Sequence, residues 1–358
     1  MMFLPYIILS ILWLSLIAYA VLGGADFGAG MWVLLAFGPT KEQQRKLIDM
    51  ALGPVWETNH VWLIFLVVGL FSAFPIAFSV LSIVLFVPLS LALLGVVMRG
   101  SAFAFRTHAK RRGTTEAWSY VFSLSTIITP FFLGVSAAAV ASGKILVREG
   151  TVVANLGTFW LNPFALVIGA MAIALCATLA AIYLTVEATS MDDTEMARTF
   201  RLRGLIAGAI TALLGALGLL LSPPYAPQLW QGMLNHAIPV VAATMIIGLG
   251  AAAALYLGYY RIARPLIIAE TAFLLGSWGV SQFPYLIPPD LTIDNAAGAP
   301  STELLLLIGI IIGMLIIIPS IFYLFYIFKF QGSMGVLEKG NVPETRVPGR
   351  GTKVPSLK

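Results

Sequence analysis

The sequence predicts an all-α integral membrane protein with about nine transmembrane helices. Hydrophobic residues make up 59% of the 358 residues and charged residues only 10%, which is more apolar sequence than a soluble core can bury. The mean hydropathy is +0.94, and apolar runs of membrane length recur along the chain. The single cysteine, Cys176, excludes an internal disulfide and a cysteine cluster for zinc or iron–sulfur.

The predicted spans follow from a hydropathy scan with a window of about 19 residues. In chain order they cover residues 4–37, 54–71, 76–98, 118–141, 159–186, 205–221, 236–260, 265–283 and 304–328. Residues 1–20 lack a basic N-terminal segment and a clear cleavage site, so we interpret them as a retained part of the first span. We predict one membrane domain over residues 1–330 and a disordered, cytoplasmic tail over 331–358, which is rich in Pro, Gly and Lys.

The positions of the cations predict the orientation in the membrane. The odd-numbered connections and the tail contain 19 of the 21 Lys and Arg residues, with Arg99 counted in the third connection. The opposite side has only Lys144 and Arg148. The positive-inside rule therefore places the N-terminus outside and the C-terminus in the cytoplasm. The basic runs lie between spans and lack interleaved aromatic residues, so they do not indicate a nucleic-acid partner.

The segment GPVWETNHVW at residues 53–62 places an acid at the start of an apolar, membrane-length helix. A charge near the bilayer centre costs on the order of 2.5–3.5 kcal/mol, so such groups usually face a protein interior, a partner or a water-filled path. We therefore predict a role for Glu57 in proton transfer or partner contact. The alternative is a first-turn acid after Pro54 that meets the positive end of the helix dipole.

Polar and aromatic residues follow Glu57 on the same helix. Trp56, Asn59 and His60 form one helical stripe with Leu63, while Glu57 shares its own side with His60 at i+3. This spacing predicts a polar seam that enters the bilayer from the cytoplasmic end. Trp56, Asn59 and His60 are therefore candidates for the same proton path or partner contact as Glu57.

The histidines do not predict a haem bound by this chain alone. His60 could ligate haem iron, but a bis-ligated haem needs a second axial donor. The other two histidines are His108, in a basic cytoplasmic connection, and His236, at the external end of the seventh predicted span. These two lie on opposite sides of the membrane. We therefore predict that His60 is a hydrogen-bonding neighbour of Glu57.

Two further acids lie within or at the edge of predicted spans. Asp26 occurs in GGADFGAG, where Gly23 and Gly30 share its helical face and allow another helix to approach closely. Asp26 is either a functional carboxylate or part of a packing motif that hydrogen-bonds a neighbouring helix. Glu270 lies just beyond Arg264, and we predict that it snorkels toward that arginine or the cytoplasmic interface rather than transferring protons.

These motifs resemble subunit II of the cytochrome bd-type quinol oxidases. YAVLGGADFGAG at 19–30 is similar to the family's first-span motif, and GPVWETNHVWLIF at 53–65 to its second-span motif with an acid after the Trp. The similarity continues through FAFR at 103–106, TPFFLGV at 129–135, LNPFAL at 161–166, FPYLIPP at 283–289 and the last span.

The resemblance implies a heterodimeric terminal oxidase in the bacterial or archaeal cytoplasmic membrane. Such a complex takes electrons from quinol, reduces oxygen to water and draws protons from the cytoplasm. The larger subunit I would carry haem b, haem d and the quinol-oxidising loop, and small accessory subunits would complete the complex in some members. By position, Glu57 matches the acid associated with the cytoplasmic proton path, and Trp56 and Asn59 match the frame around it.

One departure from the family pattern concerns the first span. The family's DGxD motif has its first acid replaced by Gly23, which leaves Asp26 alone. The resemblance leaves open whether a structural quinone binds this subunit. Two other functions also remain open: a proton-coupled transporter or channel would explain intramembrane acids, and a scaffold subunit would use Asp26 and Glu57 only for packing.

Overall fold

The computed structural model is almost entirely α-helical and describes residues 3–52, 56–108, 112–148, 151–152 and 159–325. A π-helical segment, Met233–Ala237, lies between the ninth and tenth helices. The α-helices are α1 (Leu4–Leu34), α2 (Lys41–Leu52), α3 (Trp56–Ala73), α4 (Pro75–Val84), α5 (Phe86–His108), α6 (Arg112–Ala141), α7 (Pro163–Ser190), α8 (Thr194–Tyr225), α9 (Pro227–Gly232), α10 (Ile238–Leu257), α11 (Tyr260–Gln282), α12 (Ile293–Ala296) and α13 (Pro300–Phe325).

The helices confirm an integral membrane protein. In the described ranges, seven helices are long and apolar enough to cross a membrane. An eighth span results if α3 from Asn59 onward and α4, which meet at a bend of 119°, are counted as one broken span. The 23-residue α11 contains Arg261, Arg264 and Glu270 and is less apolar than the seven. The predicted number of nine spans and the orientation remain predictions.

The predicted third span, 76–98, is wrong as a single helix. Its apolar residues belong to α4 and α5, which are separated at Leu85. Pro75 begins α4, and a residue before proline is disfavoured in the α conformation, so α3 ends at that point. Pro88 lies in the first turn of α5, where a helix needs no backbone N–H from it. A hydropathy window registers composition but not this interruption of the helix at Leu85.

The LNPFAL motif marks the beginning of α7. The side chain of Asn162 accepts a hydrogen bond from the backbone N–H of Ala165 and donates one to the carbonyl of Phe159. Pro163 follows in the first helical position, where its missing N–H costs nothing. Asp193 caps α8 in the same way by accepting from the backbone N–H of Met196. Local capping therefore sets where α7 and α8 begin.

The first helix packs closely on its neighbours through the glycines of GGADFGAG. A Cβ at Gly28 would overlap the backbone carbonyl of Cys176 on α7, and a Cβ at Gly30 would overlap Thr126 on α6. The predicted close helix packing is therefore present. It brings the middle of α1, which contains Asp26, into the interior of the chain, where Asp26 is only 2% exposed.

Two short antiparallel hairpins lie in the connections after α6 and α11. Strand β1 (Val147–Arg148) pairs with β2 (Thr151–Val152), and β3 (Tyr285–Ile287) pairs with β4 (Leu291–Thr292). The Asp290 side chain accepts a hydrogen bond from the backbone N–H of Val147, which links the two connections. The chain divides into two compact units, residues 1–303 and residues 304–358. The tail predicted at 331–358 and the domain boundary at 330 lie outside the described residues.

Candidate functional site

A buried ion pair joins α1 to α5. Nη2 of Arg99 lies 2.6 Å from Oδ1 of Asp26, and each side chain is only 2% exposed. The same nitrogen also donates to the backbone carbonyl of Asp26 at 3.3 Å. A buried charge without a partner costs several kcal/mol, so each member of this pair makes the other tolerable in the membrane interior.

Two aromatic rings enclose the guanidinium group. Cζ of Arg99 lies 4.9 Å from the ring centroid of Phe27 on α1 and 4.9 Å from that of Phe122 on α6. Arginine suits this position because its planar, weakly hydrated cation can stack on rings while its N–H groups donate in the plane. The sequence FGAG after Asp26 supplies both Phe27 and the glycines that bring α6 close.

Arg99 is the residue that sequence reasoning misplaces. The sequence predicts a cation of the third, cytoplasmic connection, but Arg99 lies within α5 and is 1% exposed. The error arises because the predicted third span ends at Met98, whereas α5 continues to His108. The signal that could have found Arg99 is Asp26 itself, since an isolated carboxylate in the first span requires a cation on a neighbouring helix.

His60 lies beside the ion pair, against two aromatic rings of α1. Its ring centroid is 6.2 Å from that of Tyr19 and 6.2 Å from that of Phe27. The predicted hydrogen bond from His60 to Glu57 involves a side chain outside the described part of the chain. Nδ1 of His60 and the hydroxyl of Tyr19 are buried and have no hydrogen-bond partner in the described residues.

The predicted stripe on α3 faces inward where it is described. Asn59 is 5% exposed, His60 is partly buried, and Leu63 packs against the apolar cluster that contains Tyr19 and Phe27. The side chains of Trp56 and Glu57 lie outside the described residues, although both positions belong to α3.

The Glu57 position lies on another face of the same helix. By helical spacing it shares a face with Val61, Ile64 and Val68, at i+4, i+7 and i+11. These three side chains are 52%, 60% and 53% exposed. The α3 helix therefore carries His60 on its inner side and the Glu57 position on a side that the described part of this chain leaves open.

Arg203 is a second arginine that the sequence assigns to a connection. It lies in α8 and donates to Oε1 of Gln44 on α2 at 2.9 Å and to the carbonyl of Leu35 at 3.2 Å. Its Cζ also lies 5.2–5.5 Å from three ring centroids, those of Trp32, Phe37 and Phe200. Arg203 therefore joins α8 to the end of α1 and to α2.

The neighbour of Glu270 in the structure is Gly248 and not Arg264, the arginine named in the sequence prediction. The guanidinium of Arg264 lies 4.4 Å from the ring centroid of Tyr183 on α7, and no ion pair between it and Glu270 occurs in the described residues. The carboxyl group of Glu270 lies against Gly248 on α10 instead, where an added Cβ would be 2.6 Å from Oε1. Glu270 and Arg264 are therefore not paired in the described residues, and the predicted snorkelling of Glu270 toward the arginine or the cytoplasmic interface stays a prediction.

The predicted absence of a haem bound by this chain alone stays a prediction. The ring of His60 packs against those of Tyr19 and Phe27 and is partly buried. His236 lies exposed in the π-helical segment, and the side chain of His108 is outside the described residues. No group of three or more His, Cys, Asp or Glu residues suited to a metal occurs in the described ranges.

The fold and the buried site define a polytopic helical membrane protein with a charge pair in its interior and an acid at the start of its second long helix. Residues 4–328 match the family model described as "Cytochrome bd terminal oxidase subunit II". The chain therefore belongs to the cytochrome bd terminal oxidase subunit II family. It is a subunit of a quinol oxidase complex, an oxidoreductase that contains haem, together with a subunit I partner.

Relatives from bacteria cover most of the chain. It is 28% identical over 333 residues to a Bacillus subtilis (strain 168) protein named, provisionally, as subunit II of a cytochrome bd menaquinol oxidase, covering 90% of this chain and 94% of the relative. It is 26% identical over 220 residues to the Escherichia coli (strain K12) cytochrome bd-I ubiquinol oxidase subunit 2, covering 59% and 58%. A chain from "The structure of bd oxidase from Geobacillus thermodenitrificans" has the same fold, with a TM-score of 0.72, 23% identity and coverage of 91% and 99%.

Proposed function

We propose that this chain supplies protons from the cytoplasm to its haem-bearing partner at the face of α3 that carries Glu57. The observation that carries the proposal is the position of Glu57 on a face shared with the exposed Val61, Ile64 and Val68. An acid on an apolar face is costly if lipid covers it, but not if a protein partner or a water path does. Subunit I is the partner that the family provides, so the Glu57 face is where the two subunits meet.

Asp26 has a different role in this proposal. It neutralises Arg99 and holds α1 to α5 behind the Glu57 face, as the separation of 2.6 Å and the burial of both side chains support. Asn59 and His60 connect the two regions, since they lie on the inner side of α3. Asp26 is therefore a positioning residue, whereas Glu57 carries the proton.

The haem and quinol chemistry belongs to the partner. As the resemblance to the family implies, we assign haem b and haem d to subunit I, which also oxidises the quinol. These groups supply electron transfer and oxygen reduction when bound there. This chain contributes proton supply and support, and small accessory subunits and a structural quinone would bind at its exposed helices.

The proposed topology has nine spans, the N-terminus outside and the C-terminus in the cytoplasm. The seven apolar helices, the bent pair of α3 and α4, and α11 together make nine in the described ranges. In α11, Arg264 stacks on Tyr183 and Glu270 lies against α10, so neighbouring helices cover both charges. A reporter fused after Lys358 is expected to be cytoplasmic and one near Asp294 external. An external C-terminal reporter would refute this topology.

The proton-supply role is tested by replacing Glu57 in the assembled complex. Glu57→Gln keeps the size and the hydrogen-bonding groups but removes the titratable proton, so quinol-driven oxygen uptake per haem should fall by about tenfold or more with haem content unchanged. Glu57→Asp should keep part of the rate. Glu42→Gln, the same change at an exposed acid of α2, is the matched control and should leave turnover unaltered. Equal turnover per haem in wild type and Glu57→Gln would leave this chain as a scaffold.

A further inference from the structure

We propose that Tyr19, Asp26, His60 and Arg99 line a binding site for water in the interior of this chain. The described residues contain ten buried side-chain nitrogen or oxygen atoms without a hydrogen-bond partner, and five of them belong to these four residues. The five atoms are the hydroxyl of Tyr19, Oδ2 of Asp26, Nδ1 of His60, and Nε and Nη1 of Arg99. Buried polar atoms are nearly always hydrogen-bonded to protein or to ordered water, so a concentration of unpaired ones indicates a bound polar ligand.

The four side chains surround one ring. Phe27 lies 6.5 Å from Tyr19 and 6.2 Å from His60 between ring centroids, and 4.9 Å from Cζ of Arg99. Asp26 is its neighbour in sequence and is bonded to Arg99. The unpaired atoms come from α1, α3 and α5, so a ligand here would contact three helices at once.

The chemistry of the unpaired atoms favours water over an ion. Nε and Nη1 of Arg99 are donors, Oδ2 of Asp26 is an acceptor, and the Tyr19 hydroxyl and the His60 nitrogen can complete either kind of bond. The faces of the guanidinium are covered by Phe27 and Phe122, so its free N–H groups point sideways, in the guanidinium plane. Since the charges of Asp26 and Arg99 cancel, the site suits a neutral ligand that both donates and accepts. A buried water typically makes about three such bonds.

Other buried hydroxyls nearby do not need water. Ser125, Thr126 and Thr129 of α6 donate to backbone carbonyls of their own helix. Ser15, on the same helix as Tyr19, donates to the carbonyl of Trp62 at 2.9 Å. Half of the unpaired buried atoms in the described residues therefore concentrate in these four side chains, while the neighbouring hydroxyls are bonded.

The lack of a side chain at Gly23 leaves space for the Tyr19 ring at the proposed water site. A Cβ at Gly23 would lie 3.1 Å from Cε2 and 3.2 Å from Cδ2 of Tyr19, so the ring lies directly over this glycine. A larger side chain at position 23 would push the ring away from α1. Gly23 thus leaves room for the phenol of Tyr19, whose hydroxyl supplies a polar group near Asp26.

This inference extends the proposed function and, for its kinetic part, rests on it. His60 is three residues after Glu57 on α3, so water at its Nδ1 would extend a protonatable network from the open face of the helix into the interior. Each water in such a network accepts one proton and passes one of its own protons to the next group. The network therefore moves protons with no net change in the waters and no transfer of electrons.

The test is a high-resolution cryo-EM map of the intact oxidase complex, for wild type and for Tyr19→Phe. The wild-type map should show water density within hydrogen-bond distance of the Tyr19 hydroxyl, Oδ2 of Asp26 or Nδ1 of His60, and Tyr19→Phe should lose the water beside the ring. Turnover per haem in Tyr19→Phe should fall by about fivefold, as expected for one hydrogen bond. Ser15→Ala removes an equally buried but fully bonded hydroxyl and should change neither result.

The outcomes separate this inference from the proposed function. If a map that shows other buried waters has no water density at this cluster, the proposed water site is wrong, independently of the turnover of Glu57→Gln. If water density is present but Glu57→Gln turns over like the wild type, the water site is supported and the role of Glu57 in proton supply is wrong. Unchanged density and turnover in Tyr19→Phe would exclude the Tyr19 hydroxyl as a ligand.

Discussion

Two arginines in the helices of this chain are held in different ways. Arg99 is 1% exposed and pairs with a carboxylate between two rings, whereas Arg203 is only partly buried and bonds to the neutral Gln44 and Leu35. Both also face aromatic rings, at 4.9 Å for Arg99 and at 5.2–5.5 Å for Arg203. The difference shows that a carboxylate partner is needed where water cannot reach the cation, while carbonyl oxygens and rings suffice nearer the helix end.

The largest effect on assembly is expected from removing Arg99 while its partner Asp26 is kept. Arg99→Met leaves Asp26 charged and unpaired inside the protein, which costs about 3–5 kcal/mol, a large part of the roughly 5–15 kcal/mol by which native proteins are stable. We expect little assembled, haem-containing complex per tagged chain. The measurement is the yield and the haem-to-protein ratio after co-purification.

The matched control for Arg99→Met removes both charges. Asp26→Asn combined with Arg99→Met leaves no buried charge, so assembly should recover well above that of Arg99→Met alone, although the two sites are in contact and their effects are not additive. A double variant that assembles no better than the single one would show that the guanidinium is needed for packing between Phe27 and Phe122, and not for its charge.

A smaller effect is expected at Arg203. Arg203→Met removes two hydrogen bonds to neutral groups that water can partly replace, because the side chain is only partly buried. The loss should be about 1–2 kcal/mol, seen as a fall of a few degrees in the melting temperature of the complex with turnover per haem retained. A loss of assembly as severe as that of Arg99→Met would contradict the distinction between the two arginines.

Much of the fold could be predicted from the sequence, because apolar runs and caps are local. The approximate extents of α1 and α7 and the glycine packing around Asp26 follow from patterns along one helix. The break between α4 and α5 and the burial of Arg99 do not, since both depend on contacts between helices distant in sequence. The sequence identifies Asp26 as a carboxylate that needs a cation, but the structure is required to show that Arg99 on α5 supplies it.

The candidate site also combines features that local sequence predicts with features that depend on contacts between helices. The family motifs locate Glu57 and Asp26 but give both the same status as intramembrane acids. The structure separates them by position: Asp26 is enclosed with Arg99, and the Glu57 position lies on the exposed face with Val61 and Ile64. Which face of α3 remains open depends on how α1 packs against it, and no local pattern encodes that packing.

The central claim, that protons enter through Glu57, is tested most directly by proton uptake during a single turnover. Fully reduced complex is mixed with oxygen, and a pH-indicator dye follows the uptake of protons from the bulk alongside the haem absorbance. In Glu57→Gln, proton uptake should slow by the same factor as oxygen reduction, about tenfold or more, with the haem spectrum unchanged. Proton uptake at the wild-type rate in Glu57→Gln would contradict the claim.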